Sequence, residues 1–348
     1  MEGQRQVTAS AWCRRLVILL IGVLLGCVLL VVLVDPFEIY HRAWGYTPPY
    51  RSETQSYSNA GIARQYTYDS VIIGSSVTEN CRPSVYAREL GGRFVKLCMN
   101  GGMSADHARM LKLAFETHPL RRVVYGIDLF AFNVYYTNQK MTTPDYLYSL
   151  TVLDDAPYWF NRDVWFTEIP EALGQWGETP QEELAETMYS WDPPWLPGAR
   201  GLIDRLQLGP WPQQEKFDPE LTRGCVEHNL LSFIRAHPET RFDLFFPPYS
   251  RLYWVNEASQ GRLEEDLGVK MEVVRMLLDC DNVRLFDFQM DPVTEDYGQY
   301  YDLIHYLSGV NDDLARDMGR GRGQITCLAE VEQRCRQLAQ DVRKWFDP

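Results

Sequence analysis

Residues Leu16 to Val34 form an uninterrupted run of uncharged, almost wholly aliphatic side chains, LVILLIGVLLGCVLLVVLV. A helix rises about 1.5 Å per residue, so this stretch nearly matches a hydrocarbon core of about 30 Å. It is longer than the usual ~7–15-residue apolar region of a cleaved leader, and no small-x-small pattern precedes Asp35. The segment therefore reads as a retained single-pass anchor. Arg5, Arg14 and Arg15 precede it and Asp35 and Glu38 follow it, which places the N-terminus in the cytoplasm and the remainder outside. Everything downstream has to fold as one water-exposed body on a tether.

That body is acidic. The 348-residue chain has 34 Lys+Arg against 47 Asp+Glu, for a net charge of -13. Phosphate binding needs a basic surface, so nucleic acid is excluded as the main partner. Mean hydropathy of -0.30 excludes a protein of many spans. Eight cysteines occur, with no Cys-x-x-Cys and no Cys/His cluster of zinc-binding spacing. No metal and no cofactor is expected. Six of the cysteines lie beyond the span and leave disulfides and free buried thiols both open.

Residues 1–15 are read as a tail, 16–34 as the anchor and 35–66, rich in aromatics and turn formers, as an approach segment. From residue 67 onward short apolar strands alternate with helical patterns. Strands are expected at Tyr68–Gly74, Arg93–Met99, Arg122–Phe130, Arg241–Phe246 and Asn282–Phe288. Helices are expected at Pro83–Leu90, Ser104–His118, Leu221–His237, Gln260–Leu278 and Thr326–Phe346. Near-continuous apolar strands joined by crossover helices give a parallel sheet covered on both faces. The expected fold is α/β, a three-layer sandwich with a five-stranded parallel sheet. The rhythm breaks at about 134–220, which holds six of the ten tryptophans and many prolines. That stretch reads as an insertion lying over one face of the sheet.

Two motifs carry chemistry. In IIGSSVTEN (72–80) a buried strand runs into Gly74, and Ser75 and Ser76 follow where a parallel sheet opens its ligand crevice. In DLIH (302–305) an Asp stands three residues before a His, a spacing that lets a carboxylate orient the imidazole. Asp106-His107 opens a helix and is read as a cap. The tryptophans of the insertion are read as packing residues before sugar-stacking ones.

An early Ser and a late Asp-x-x-His on a five-stranded α/β chain resemble the SGNH (GDSL-like) hydrolase superfamily, over roughly residues 66–320. Asp35-Pro36-Phe37 and Gly74–Asn80 are similar to motifs of its membrane-anchored bacterial subgroup. The resemblance implies a flavodoxin-like sheet order and a catalytic set of Ser76, Asp302 and His305. It implies an oxyanion site from Ser76 and the Asn100, Gly101 and Gly102 loop. Glu79, Asn80 and Asp128 are candidates for substrate contact, with helix capping as the alternative for the first two. Asp128 departs from the family, which has an Asn side chain in that region; an ionised carboxylate cannot donate a hydrogen bond. The family's oxyanion glycine also falls near Ala105. The implied activity is serine ester hydrolysis or O-acyl transfer on an acylated envelope glycan or related surface ester, through an acyl-Ser intermediate. The alternative is a non-catalytic scaffold or glycan-binding component of an envelope complex.

Overall fold

The computed structural model describes residues 9–140, 144–177 and 184–346. Arg5 and the rest of the first eight residues of the expected tail lie outside them, as do 141–143 and 178–183 of the insertion.

Five strands, β1 (Ser70–Gly74), β2 (Phe94–Cys98), β3 (Arg122–Gly126), β4 (Arg241–Phe246) and β5 (Val283–Asp287), form one sheet in the order β2-β1-β3-β4-β5. All four pairings are parallel. The order reverses between β1 and β3, and this reversal opens a crevice beyond their carboxyl ends. The strands alternate between two apolar layers because successive side chains point to opposite faces. Val71, Ile73, Val95, Leu97, Val123, Phe242 and Leu244 enter one core, and Ile72, Phe94, Val124, Phe245 and Phe286 enter the other. Each aliphatic side chain so buried contributes about 1.5–3 kcal/mol.

The helices are α1 (Ala9–Val34), α2 (Gln55–Gln65), α3 (Pro83–Leu90), α4 (Ser104–Thr117), α5 (Pro219–Val226, continued through Ala236), α6 (Arg251–Ser259), α7 (Leu263–Leu277), α8 (Ser308–Arg320) and α9 (Leu328–Arg343), with shorter turns between them. Met110 and Leu111 of α4, Leu230 in the continuation of α5, Val273 of α7 and Leu338 of α9 share the first core; Val85 of α3 and Leu314 of α8 share the second. The three-layer expectation holds. α1 is long and apolar enough to cross a membrane by length and composition.

Sequence and structure differ at α6 (Arg251–Ser259), which no expected helix covers, and in four further places. β3 stops at Gly126, and Leu129–Phe132 is a single 3₁₀ turn, because the chain leaves the sheet at the crevice. α2 occupies the segment read as turn-rich; its Ser, Asn and Gly residues suit close packing, and a Cβ on Gly61 would sit 1.8 Å from the Phe37 carbonyl oxygen. α8 escaped the pattern because charged residues interrupt it, although Val310, Leu314 and Met318 recur on one buried face. The fourth is the insertion, which does not simply cover a sheet face. Its helices Ala156–Trp159 and Ile169–Gly174 pack on α1. Trp159 Nε1 donates to Tyr40 (2.7 Å), Tyr40 donates to Asp155 (2.9 Å), and Arg51 clamps Glu168 and Glu171. Trp159, Trp165 and Trp211 pack against the main core and not into one of their own. All eight cysteines are free.

Candidate active site

The crevice between β1 and β3 begins at a notch made by two glycines. A Cβ on Gly74 would meet Thr78 Cγ2 at 2.6 Å, and one on Gly126 would meet it at 2.8 Å. Only glycine leaves room for Thr78 here. Its hydroxyl donates to the Ser75 carbonyl (2.7 Å), which closes the turn Ser76–Thr78 directly after the strand. Ser76 is thereby presented at the top of the sheet and Ser75 is buried beneath it.

The second motif comes from the opposite end of the chain. Leu303 O accepts both the N–H (3.0 Å) and the hydroxyl (2.7 Å) of Ser250, and Tyr300 donates to Pro248 O (2.6 Å). The segment after β4 thus holds the 300–305 loop over the crevice. Asp302 Oδ1 accepts the N–H groups of Ile304 (2.9 Å) and His305 (2.8 Å), and Asp302 Oδ2 lies 2.7 Å from His305 Nδ1. Burial acts to raise the Asp302 pKa, but the hydrogen bonds and charge of His305 and those backbone donors outweigh it and hold the carboxyl below its ordinary value. An ionised carboxylate only accepts, so Nδ1 carries the ring proton and Nε2 is free to accept. Ser76 Oγ lies 2.7 Å from that Nε2. Trp191, from the insertion, stands edge-on to the imidazole with ring centroids 5.1 Å apart. Ser76, His305 and Asp302, separated by up to 229 positions, form one continuous hydrogen-bonded chain.

These three residues border a cleft of about 860 Å³. Its other walls are Thr47–Ser52 from the approach segment and Thr187–Pro193 from the insertion, with Glu79 and Asn100 beside Ser76. The remaining sequence candidates divide. Glu79 lines the cleft, and burial raises its carboxyl pKa against the opposing effects of Gln55, Trp191, His305 and Lys96. Asn80 does not line it: its amide donates to Trp191 O (2.6 Å) and its oxygen accepts the Trp191 N–H (2.7 Å), so it fastens the insertion. Asp128 is fully buried and accepts the Tyr249 hydroxyl, away from the cleft. Burial raises its pKa, partly offset by Ser75 and Tyr249.

The oxyanion candidates are likewise redistributed. The Asn100 N–H donates to Gln55 Oε1 (2.8 Å) and the Gly102 N–H to Met99 O (2.8 Å), so both are already engaged. Among the described residues the N–H groups of Ser76 and Gly101 carry no hydrogen bond. Asp106 accepts the Met103 N–H at the start of α4 (2.9 Å), as a cap does.

Two supporting residues went unread in the sequence. Gln55 bridges Asn100 to Glu79, donating to Oε1 of the latter at 2.6 Å. Lys96 is wholly buried and donates to Glu79 O (2.6 Å) and Ser190 Oγ (3.1 Å), tying the turn after Ser76 to the insertion. Its pKa is lowered by burial. A lysine centred in the strand RFVKLCM was a visible signal; nothing local marks Gln55.

No family model and no curated protein matches the chain. Among solved structures it is similar to a protein from Streptococcus pneumonia provisionally described as a platelet activating factor. The likeness has 11% identity and a TM-score of 0.38, over 78% of this chain and 91% of that one.

Proposed function

We propose that this protein is a membrane-anchored serine ester hydrolase or O-acyltransferase of SGNH type. In this reading residues 16–34 anchor it, 67–348 with the insertion form the ester-processing domain, and the cleft lies outside the cytoplasm. The observation that carries it is the chain Ser76 Oγ, His305 Nε2, His305 Nδ1, Asp302 Oδ2, with both links at 2.7 Å at the edge of an open cleft.

His305 takes the hydroxyl proton as Ser76 Oγ attacks the ester carbonyl, and Asp302 stabilises the imidazolium. The N–H groups of Ser76 and Gly101 steady the oxyanion, with Asn100 at the cleft edge beside them. His305 then gives the proton to the leaving alcohol, and an acyl-Ser76 remains. Water as the second acceptor makes the enzyme a hydrolase, and a sugar hydroxyl makes it a transferase; the substrate in either case is an acylated envelope glycan or related surface ester. Asp128 does not oppose this chemistry, since its carboxylate faces Tyr249 and not the cleft.

The test is fluorophosphonate labelling of the full chain in detergent, with wild type compared to Ser76→Ala, Ser75→Ala and His305→Ala. Labelling is expected in wild type and Ser75→Ala and lost in the other two. A folded wild type that takes no label, or a Ser76→Ala variant that still does, overturns the reading.

A further inference from the structure

The apolar run of α1 has no length to spare. Its 19 residues span about 28 Å at 1.5 Å each, against about 30 Å of hydrocarbon. With residues 16–34 as the anchor proposed above, its last turns belong in the bilayer. Yet those turns are not wholly free: Cys27, Val28 and Val32 are partly shielded, and Val31 and Val34 are buried. The shielding comes from the same chain. Ala156–Trp159 and Ile169–Gly174 pack on α1, His41 Nε2 lies 2.9 Å from Val32 O, and Trp44 Nε1 donates to Leu33 O at 3.3 Å. Leu29 and Leu33 remain exposed on the other side of the same turns.

The two helices that pack on α1, and the turns that flank them, carry large apolar side chains that are not buried. Leu153 is 82% and Phe166 78% exposed, and Phe160, Leu173, Trp44 and Trp176 are also exposed. Trp44 and Trp176 pack edge-to-face, with centroids 4.9 Å apart, at the level of the last turn of α1. In water so many exposed large apolar side chains are a liability; beside a membrane span they suit the lipid, and the Trp44–Trp176 pair adjoins the exposed end of α1.

We propose that the insertion docks into the outer surface of the lipid bilayer, with these six side chains immersed around the exit of α1. From Cys27 to Val34 the wrapped part of the span covers about 10 Å, which matches the ~5–10 Å to which interfacial apolar faces sink. The tryptophan pair occupies the headgroup level that such rings favour. The cleft shares its wall with this surface: Gln175 precedes Trp176, and its side chain accepts the N–H of Thr47 (3.3 Å), both residues lining the cleft. The cleft mouth consequently stands at the membrane surface. Docking does not depend on Ser76 being a nucleophile.

The test uses the full chain in phosphatidylcholine nanodiscs, with Cys13, Cys27 and Cys327 replaced by Ser. An environment-sensitive NBD fluorophore is placed at Phe166→Cys, Leu153→Cys or, as a control on α9, Arg336→Cys. Thermal unfolding of each labelled protein verifies its fold. Doxyl-labelled phosphatidylcholine is expected to quench the probes at 166 and 153 at least about twofold more than the probe at 336, as for interfacial insertion. Equal quenching at all three sites overturns the proposal. So does a blue-shifted but unquenched probe at 166, which would place a protein and not lipid over this face. Neither readout depends on ester chemistry, so failure here leaves the labelling result untouched, and the reverse.

Discussion

Replacing Asp302 by Asn separates orientation from charge at the candidate active site. Asp302 Oδ1 accepts two backbone N–H groups, at 2.8 and 2.9 Å, and Oδ2 accepts His305 Nδ1 at 2.7 Å. An amide has one acceptor oxygen, and the two backbone donors claim it. The amide nitrogen must then face Nδ1, which can only accept from it. The ring proton moves to Nε2, where the Ser76 hydroxyl needs an acceptor, and the relay fails. A tautomer reversal of this kind costs about 10⁴ in rate, or about 5.5 kcal/mol at 1.36 kcal/mol per decade. The loop should survive, because both backbone hydrogen bonds persist. The expected result for Asp302→Asn is a fluorophosphonate labelling rate ~10⁴ below wild type. A thermal midpoint within about 1.5 °C of wild type would correspond to a loss under about 1 kcal/mol, at ~2 cal/mol/K of unfolding entropy per residue over roughly 300 residues. A labelling rate within tenfold of wild type would refute the argument, since it would mean that Nε2 accepts the serine proton without Asp302 setting the tautomer.

Two further outcomes follow from the core around the site. In Gly126→Ala the new Cβ would meet Thr78 Cγ2 at 2.8 Å and Phe245 Cζ at 3.3 Å, so a loss of ~1–3 kcal/mol by overpacking is expected. Adding Thr78→Ser removes the clashing methyl and keeps the hydroxyl; denaturation of the double variant should recover at least half of the loss, and no recovery would show that Thr78 is not the obstacle. His107 is fully buried, with Nδ1 2.7 Å from the Tyr125 hydroxyl, and burial holds its pKa down at about 3 against an ordinary 6.5. A base with a lowered folded pKa stabilises the fold above pH 6.5 and loses that contribution as pH falls toward 3. Between pH 7 and pH 5 wild type should lose on the order of 2 kcal/mol more than His107→Gln; identical pH slopes in denaturation would refute the assignment.

The α/β class, the five strands and the long apolar helix α1 were legible because each is local. Near-continuous apolar strands bounded by Gly and Pro are fixed by burial, and a long charge-free aliphatic run satisfies its own backbone as a helix. Ser76, Asp302 and His305 were legible as motifs, since a Gly-Ser turn and an Asp-x-x-His spacing have few other uses in combination. What their neighbours do was not. Asp128 stands two residues beyond a buried strand end, and only the approach of Tyr249 from the loop after β4 decides that its carboxylate turns inward. Asn100 and Gly102 look like free amide donors until Gln55 and Met99 O are placed against them. Gln55 itself lies on a helix with no strong apolar stripe, and α8 hides its stripe among charges. The insertion shows the limit most clearly, because its tryptophans and prolines predict aromatic packing but not a partner surface. Long-range pairing sends them to α1 and to the cleft rim, where Trp191 meets His305. Periodicity and turn chemistry are properties of neighbours in sequence, so the sequence determined the elements and singled out the side chains of the candidate site. Which partners those side chains meet, from Gln55 at Asn100 to Tyr249 at Asp128 and Ser76 at His305, and which surface the insertion covers depend on groups from 45 to 229 positions away and were decided by the tertiary structure.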